Sequence, residues 1–497
     1  MAIVNIRAHS RRAISLGLAA LFLAACSKDK ILTVTDPDII NPADLNSAEA
    51  AEALRVGALN RLSDVTGGLQ GGGSLNEGIF HFSGVIADEW RSTDTFVQRD
   101  EADSRTITET NSAMTLEARG LNRTRVAAIQ AIPVIQKYEP TKLADVGQMY
   151  WVRGWAEMSI AENFCNGSPI SSVDVAGVIT YGGQETNVQI FGRAIASFDT
   201  ALTFTPAGVA RSDTVKWLST LEKARVQMDL GQYAAAATTL AANVVPDNFK
   251  FNMSYTQILG DNQIWALNNS AGRWMPANNE GPLGLNPGSA NDPRVPICIG
   301  GSAACKAFDP NQTRSNSFDQ NFATGTFLVQ LVWPTREADI AIAMGTEARL
   351  LEAEAALRGG DVVTFLAKLN LLRANYATFK QPSDPCPATG ANLTGCPVIP
   401  TGGNLLPALT DPGTQAGRED LLFRERAFWL WSTGHRLQDL RRLVRPIAEG
   451  GFGRAESSVF PTGPYYKGGI YGTDKFLIIP QAERNNPQFT GCIDRNA

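Results

Sequence analysis

The chain has 497 residues, with 44 Lys and Arg against 49 Asp and Glu, a formal net charge of −5 and 44% hydrophobic residues. That length supports a large core, in one big domain or two or three units. A mildly acidic balance argues against nucleic acid as a partner, because phosphate neutralisation needs a basic surface. In chain order, Arg7, Arg11 and Arg12 precede an apolar run, Ala13 to Ala25, of signal-peptide length and too short to span a bilayer comfortably. Residues 27–45 are polar, carry Pro37 and Pro42, and read as a tether. Helical spacing is predicted over 46–66, a flexible glycine-rich loop over 67–78, and further helices over 116–138, where Pro133 should kink or break the run, and 142–164. In the last of these Trp151, Trp155 and Met158 form one apolar stripe. Helices are also predicted over 189–204, 214–233, 234–244, 337–360, 361–379 and 418–444. Irregular segments, 246–335 and 380–417, separate them.

Small residues just before Cys26, in Leu23-Ala24-Ala25-Cys26, make the N-terminus similar to a bacterial lipobox. The resemblance implies cleavage before Cys26 and acylation of its thiol, with residues 1–25 as the signal; an ordinary secretory signal with an incidental cysteine is the competing reading. Losing three Arg and no acid takes the formal charge from −5 to about −8. After Cys26 no apolar run of 18 or more residues occurs. Ser27 does not meet the inner-membrane retention rule, and Lys28-Asp29-Lys30 resembles a short charged surface-export tag.

Six cysteines remain, an even number that in an exported chain points to three disulfides. Local pairing within each irregular segment gives Cys298–Cys305 and Cys386–Cys396 and leaves Cys165 for Cys492, one of 15 connectivities.

Two segments, 221–241 and 347–372, share a plan of helix, tight Gly turn and helix opening on small residues, and so resemble tetratricopeptide hairpins. "TEARLLEAEAALRGGD" (346–361), "RERAFWLWSTGHRLQDLRR" (424–442), "FLIIPQAERNNPQF" (476–489) and "NDPR" (291–294), taken with the lipobox, resemble the SusD/RagB family of nutrient-binding lipoproteins. The resemblance implies a mainly α fold, a tetratricopeptide-like scaffold with long irregular insertions. Residues 1–25 would be the signal, 26–45 the lipidated tether and 46–497 the domain, divided near 46–245, 246–335 and 336–497. It also implies a lipid anchor on the outer membrane facing the exterior, a glycan or peptide ligand, and delivery to a SusC-like TonB-dependent receptor, without catalysis. The rivals are a helical scaffold that binds only proteins and a glycoside hydrolase. Glu425, Arg426, Arg436, Asp439 and Arg442 within the motif are read as an ion-pair lattice between helices rather than as ligand contacts.

Chemistry-bearing motifs are sparse. After Cys26 there are two histidines, His81 and His435, with no second His near either, and no P-loop, GxSxG elbow or CxxC pair. No cofactor or metal is expected. Asp88-Glu89 could evoke a glycosidase carboxylate pair, but adjacent side chains rarely converge. A binder needs exposed aromatic faces, and aromatics in irregular segments are the better candidates. Trp90 and Trp274 fit, with Asp88, Arg91, Arg273 and Asn278 as polar neighbours and Trp333 as a weaker third; covering the core is the alternative role for these rings.

Overall fold

The computed structural model describes residues 47–68, 77–174, 178–256, 258, 260–319, 326–386, 396 and 406–495. The signal, Cys26, the tether and residues 69–76 of the glycine-rich loop lie outside the described residues. So does most of 380–417.

The scaffold is helical. Helix α1 (Ala48–Gly67) packs on α4 (Ser112–Tyr138), which packs on α5 (Leu143–Asn163). The chain continues through α6 (Asn187–Thr203), α7 (Ala210–Asp229) and α8 (Tyr233–Ala242), each packed on its predecessor. Between α1 and α4 lie α2 (Ile79–Ile86) and α3 (Val97–Asp103). Further on, α9 (Gly345–Arg358) pairs with α10 (Val362–Ala374), and α8 packs against α9. Helices α11 (Gln415–Trp429) and α12 (Arg436–Val444) close the set.

Local chemistry sets the helix starts. Asn111, Asp361 and Thr414 accept hydrogen bonds from backbone N–H groups at the N-termini of α4, α10 and α11. Thr186 and Gln189 form a reciprocal capping box on α6. The two tetratricopeptide-like hairpins are α7–α8 and α9–α10. At the first turn Gly231 has φ of 72°, and a Cβ there would meet Gly450 Cα at 2.6 Å, so only glycine fits both the backbone and the contact. The fold is mainly α, a tetratricopeptide-like scaffold with long irregular insertions.

Of the kink or break expected at Pro133, the break does not occur: helix α4 runs through Pro133 without ending. Two sequence expectations are corrected. The span 337–360 is not one helix: Ile340–Met344 is a strand, antiparallel to Lys250–Met253, and the helix starts at Gly345. An Ile-Ala-Ile-Ala alternation buried on both faces favours an extended chain. The span 418–444 is also broken. Ser432 (φ 55°) and Gly434 (φ 79°) take left-handed conformations between α11 and α12, which no continuous helix allows.

Buried ion pairs tie these helices together. Arg426 Nε donates to Asp439 Oδ2 at 2.8 Å, and Arg442 Nη2 to Asp439 Oδ1 at 2.7 Å. Arg442 also pairs with Glu354 of α9. Glu425 lies between Arg294 and Arg373, each at 2.8 Å. Arg225 grips Glu162 through two contacts of 2.7 Å. The neighbouring guanidinium groups of Arg426 and Arg442 hold the Asp439 carboxyl well below its ordinary value even though burial opposes them more strongly than any single attraction. Glu425, Arg426, Asp439 and Arg442 thus form an inter-element lattice, while Arg436 stands outside it and donates to the Ala87 carbonyl. Removing one member of such a buried pair costs about 3–5 kcal/mol.

Disulfides join Cys165 to Cys492, Cys298 to Cys305 and Cys386 to Cys396, with Cα–Cα distances of 5.9, 5.5 and 5.4 Å. These are the three pairs chosen from the sequence. The first fastens the end of α5 to the C-terminal tail, beside the backbone bridge between Asn166 and Asp494.

Candidate functional site

Two short strands, Trp90–Ser92 and Trp274–Pro276, pair antiparallel, with Ser92 opposite Trp274 and Trp90 opposite Pro276. Alternation along Trp90–Ser92 turns Trp90 and Ser92 inward and Arg91 outward. Next to these strands, Thr93 N–H donates to the Arg273 carbonyl, Phe318 N–H to the Gly272 carbonyl and Asp319 N–H to the Thr93 carbonyl, at 2.7–2.9 Å. Segments about 225 residues apart are thereby held side by side.

The expectation that Trp90 and Trp274 offer stacking faces is overturned. Both are 0% exposed. They flank His81, with ring centroids 5.4 and 5.8 Å away. Their polar edges are used internally. Trp90 Nε1 donates to Ser432 Oγ at 2.7 Å and Trp274 Nε1 to Glu77 Oε1 at 2.9 Å. Burial pushes the His81 imidazole down to about 3, with Arg99 adding to the effect, so the ring between the indoles is neutral. Trp333 is likewise buried, near Trp431. A large ring on a two-sided layer goes inward because burying it releases more apolar surface than any contact outside could.

The polar companions separate. Asp88 is buried at φ 62°, its carboxyl pushed up to about 7 by burial against the pull of Arg436 and Arg105. Asn278 is exposed, and its Oδ1 accepts from Ser289 Oγ at 2.9 Å, away from the other candidates' contacts. Arg91 Nε lies 3.1 Å from Glu280 Oε1, and its Cζ sits 3.7 Å over the Tyr466 ring. Beneath it Asp103 accepts hydrogen bonds from Tyr466, Tyr465 and the Ser92 N–H. Burial raises the Asp103 carboxyl to about 6 despite those donors.

Arg273 is the candidate that lies beside exposed aromatic rings. Its Cζ is 3.7 Å from the Phe318 ring centroid and 5.4 Å from that of Phe96. The two phenylalanines are 41% and 52% exposed. Arg273 Nη1 donates to Asp94 Oδ1 at 2.8 Å, while its Nε has no hydrogen-bond partner among the described residues. Asp94 is also bound by Arg99, and Arg99 by Glu77, which holds the Trp274 indole. Lys467 reaches the Asp94 carbonyl and the Asp100 carboxylate, each at 2.6 Å. The result is two exposed rings beside one internally paired guanidinium, which suits a ligand with an apolar face. Sequence reasoning missed Phe96, Phe318, Tyr466 and Lys467. The rule that favoured aromatics in irregular segments applies to "STDTFVQ" and "NSFDQ" as well, but ring size led to the tryptophans.

The fold has solved counterparts at low identity. A SusD-like protein from Bacteroides fragilis aligns with a TM-score of 0.61 at 12% identity, over 92% of this chain and 99% of that one. A SusD-like carbohydrate-binding protein from the same species gives 0.60 at 15% identity, over 90% and 99%. Another from Bacteroides vulgatus gives 0.59 at 13% identity, over 89% and 97%. No family model matches the sequence, and no curated protein matches it. The chain has the SusD-like fold.

Proposed function

We propose that this chain is a lipid-anchored outer-membrane protein that captures a glycan at the cell exterior and hands it to a SusC-like TonB-dependent channel, performing no reaction itself. In this reading residues 1–25 are removed, Cys26 carries the acyl chains, 26–45 form the tether and 46–497 the binding domain. Phe96 and Phe318 on either side of Arg273 are the observation that carries it. Support also comes from the fold, whose solved counterparts include proteins named as carbohydrate-binding. Among the described residues no helix is long and apolar enough to cross a membrane, in keeping with attachment through a lipid.

The test is titration calorimetry of the purified domain against a panel of neutral oligosaccharides. Phe318→Ala and Phe96→Ala should each weaken the best ligand by about 1–3 kcal/mol, the range for one lost stacking face in base recognition. The fold should be unchanged, since both rings lie at the surface rather than in the core. Unaltered affinity in both variants, or measurable turnover of a polysaccharide, overturns the reading. Copurification with a large channel under gentle detergent tests the delivery step; recovery of the protein alone favours the scaffold alternative.

A further inference from the structure

A second surface stands apart from the aromatic pair. Helices α1 and α4 pack closely because α4 carries Gly120, where a Cβ would meet Val65 Cγ2 at 2.9 Å. That approach sets Arg61, one turn before Val65, beside Arg119 and Arg123, which lie one turn apart on α4. The three share a groove of about 360 Å³, walled by Ala118, Val126, Val173 and Pro480. The size suits a mono- or disaccharide unit.

The state of these arginines is unusual for this chain. Even Arg484, with 47% of its side chain exposed, pairs with Glu109 at 2.7 Å. Arg61, Arg119 and Arg123 are the only arginines among the described residues whose guanidinium groups make neither a hydrogen bond nor an ion pair. Like charges four residues apart oppose helix formation. Breaking a local rule without a compensating contact marks a functional position. Burial, then the charges of Arg119 and Arg61, pull the Arg123 guanidinium below its ordinary value, so the three feel one another. Four carboxyls lie at the groove and its smaller annex: Asp64, Glu77, Glu117 and Glu483. Glu77 is spent on Arg99, and burial raises the other three, Asp64 to about 6 against the pull of Arg61 and Glu117 well above its ordinary range, so Glu117 adds little opposing charge.

We propose that this groove binds the anionic group of an acidic saccharide, a sulfate ester or a uronic carboxylate. Planar guanidinium groups bind both anions through paired N–H donors, and the apolar wall receives the sugar ring.

The test titrates full-length protein at low salt with a heparin-derived hexasaccharide, an oligogalacturonate and neutral cellohexaose. The first two distinguish sulfate from carboxylate as the recognised group. Arg119→Gln with Arg123→Gln should weaken the preferred acidic ligand by roughly tenfold or more, the fold-change of a lost charge-assisted contact. Arg61→Gln should act in the same direction, and cellohexaose binding should not change. Phe318→Ala should leave the acidic ligand's affinity intact, so failure of the aromatic site and failure of this one give different results. The inference is overturned if neither acidic ligand binds the wild type, if the arginine variants bind it unchanged, or if they lose cellohexaose equally. Loss of a membrane partner with saccharide binding intact also overturns it, because the groove is then a protein interface.

Discussion

Glu89 → Gln should make the protein less sensitive to alkali. Glu89 is fully buried at the turn into the first strand of the candidate site. Its Oε1 accepts from the Ser432 N–H at 2.9 Å, and Oε2 has no partner among the described residues. Burial pushes its carboxyl from an ordinary 4.5 up to about 8, with the Ser432 N–H and Arg436 pulling the other way. The folded chain therefore holds a proton there between about pH 4.5 and 8, where the unfolded chain has released it. Stability is fully present below that window and is lost as pH rises through it. At about 1.4 kcal/mol per pH unit, the full span corresponds to a loss on the order of 5 kcal/mol. Asp88, raised to about 7, acts with the same sign. His81, depressed to about 3, acts at the other end, removing stability as pH falls below about 6.5. The difference between variant and wild type isolates Glu89. Denaturant unfolding should find the two within about 1 kcal/mol at about pH 5, and Glu89→Gln more stable by several kcal/mol at about pH 8.5. A difference that does not change with pH refutes a buried, protonated Glu89.

Three further outcomes follow from the same contacts. Cys165→Ser with Cys492→Ser opens a loop with a separation of 327 and should cost about 5–6 kcal/mol in the chain-entropy relation. Opening Cys298–Cys305, with a separation of 7, should cost about 2.5 kcal/mol; equal losses in thermal unfolding contradict the loop-length account. Arg442→Met takes from Glu354 its hydrogen-bond partner and leaves Asp439 with Arg426 alone, and should cost about 3–5 kcal/mol in urea, whereas a loss below about 1 kcal/mol means the lattice does not hold the helices. Cys26→Ala should leave the circular dichroism spectrum unchanged and release the protein from membranes; a variant that still sediments with membranes after a high-salt wash speaks against lipid anchoring.

The scaffold was legible where one helix face repeats, as in the stripe of Trp151, Trp155 and Met158, all buried as expected. It was not legible where burial is two-sided. Ile340–Met344 has no polar face to reveal its period, and it abuts a helix whose pattern absorbed it. The break at Ser432 and Gly434 had a signal in "STG", but the charged positions on either side kept helical spacing across it. Charge pairing was readable only at short range. Asp439 and Arg442 are three apart, whereas Glu354 reaches Arg442 across 88 residues, and nothing local announces that contact.

The candidate site failed to be legible for a related reason. An exposed aromatic and a buried one have the same letters around them, and the difference lies in what folds over the ring. Trp274 is covered, and its indole holds Glu77, which holds Arg99, which holds Asp94, which holds Arg273 between two exposed rings. The tryptophan chosen from sequence thus supports the surface without touching it. Most arginines here have their geometry consumed by such partners and are poor candidates for ligand contact. Arg61, Arg119 and Arg123 are the exceptions, since among the described residues their guanidinium groups make neither a hydrogen bond nor an ion pair. A guanidinium already held in folding, as Arg273 is by Asp94, has its ordering cost met before a ligand arrives, whereas the three groove arginines are ordered only by the ligand that pairs with them.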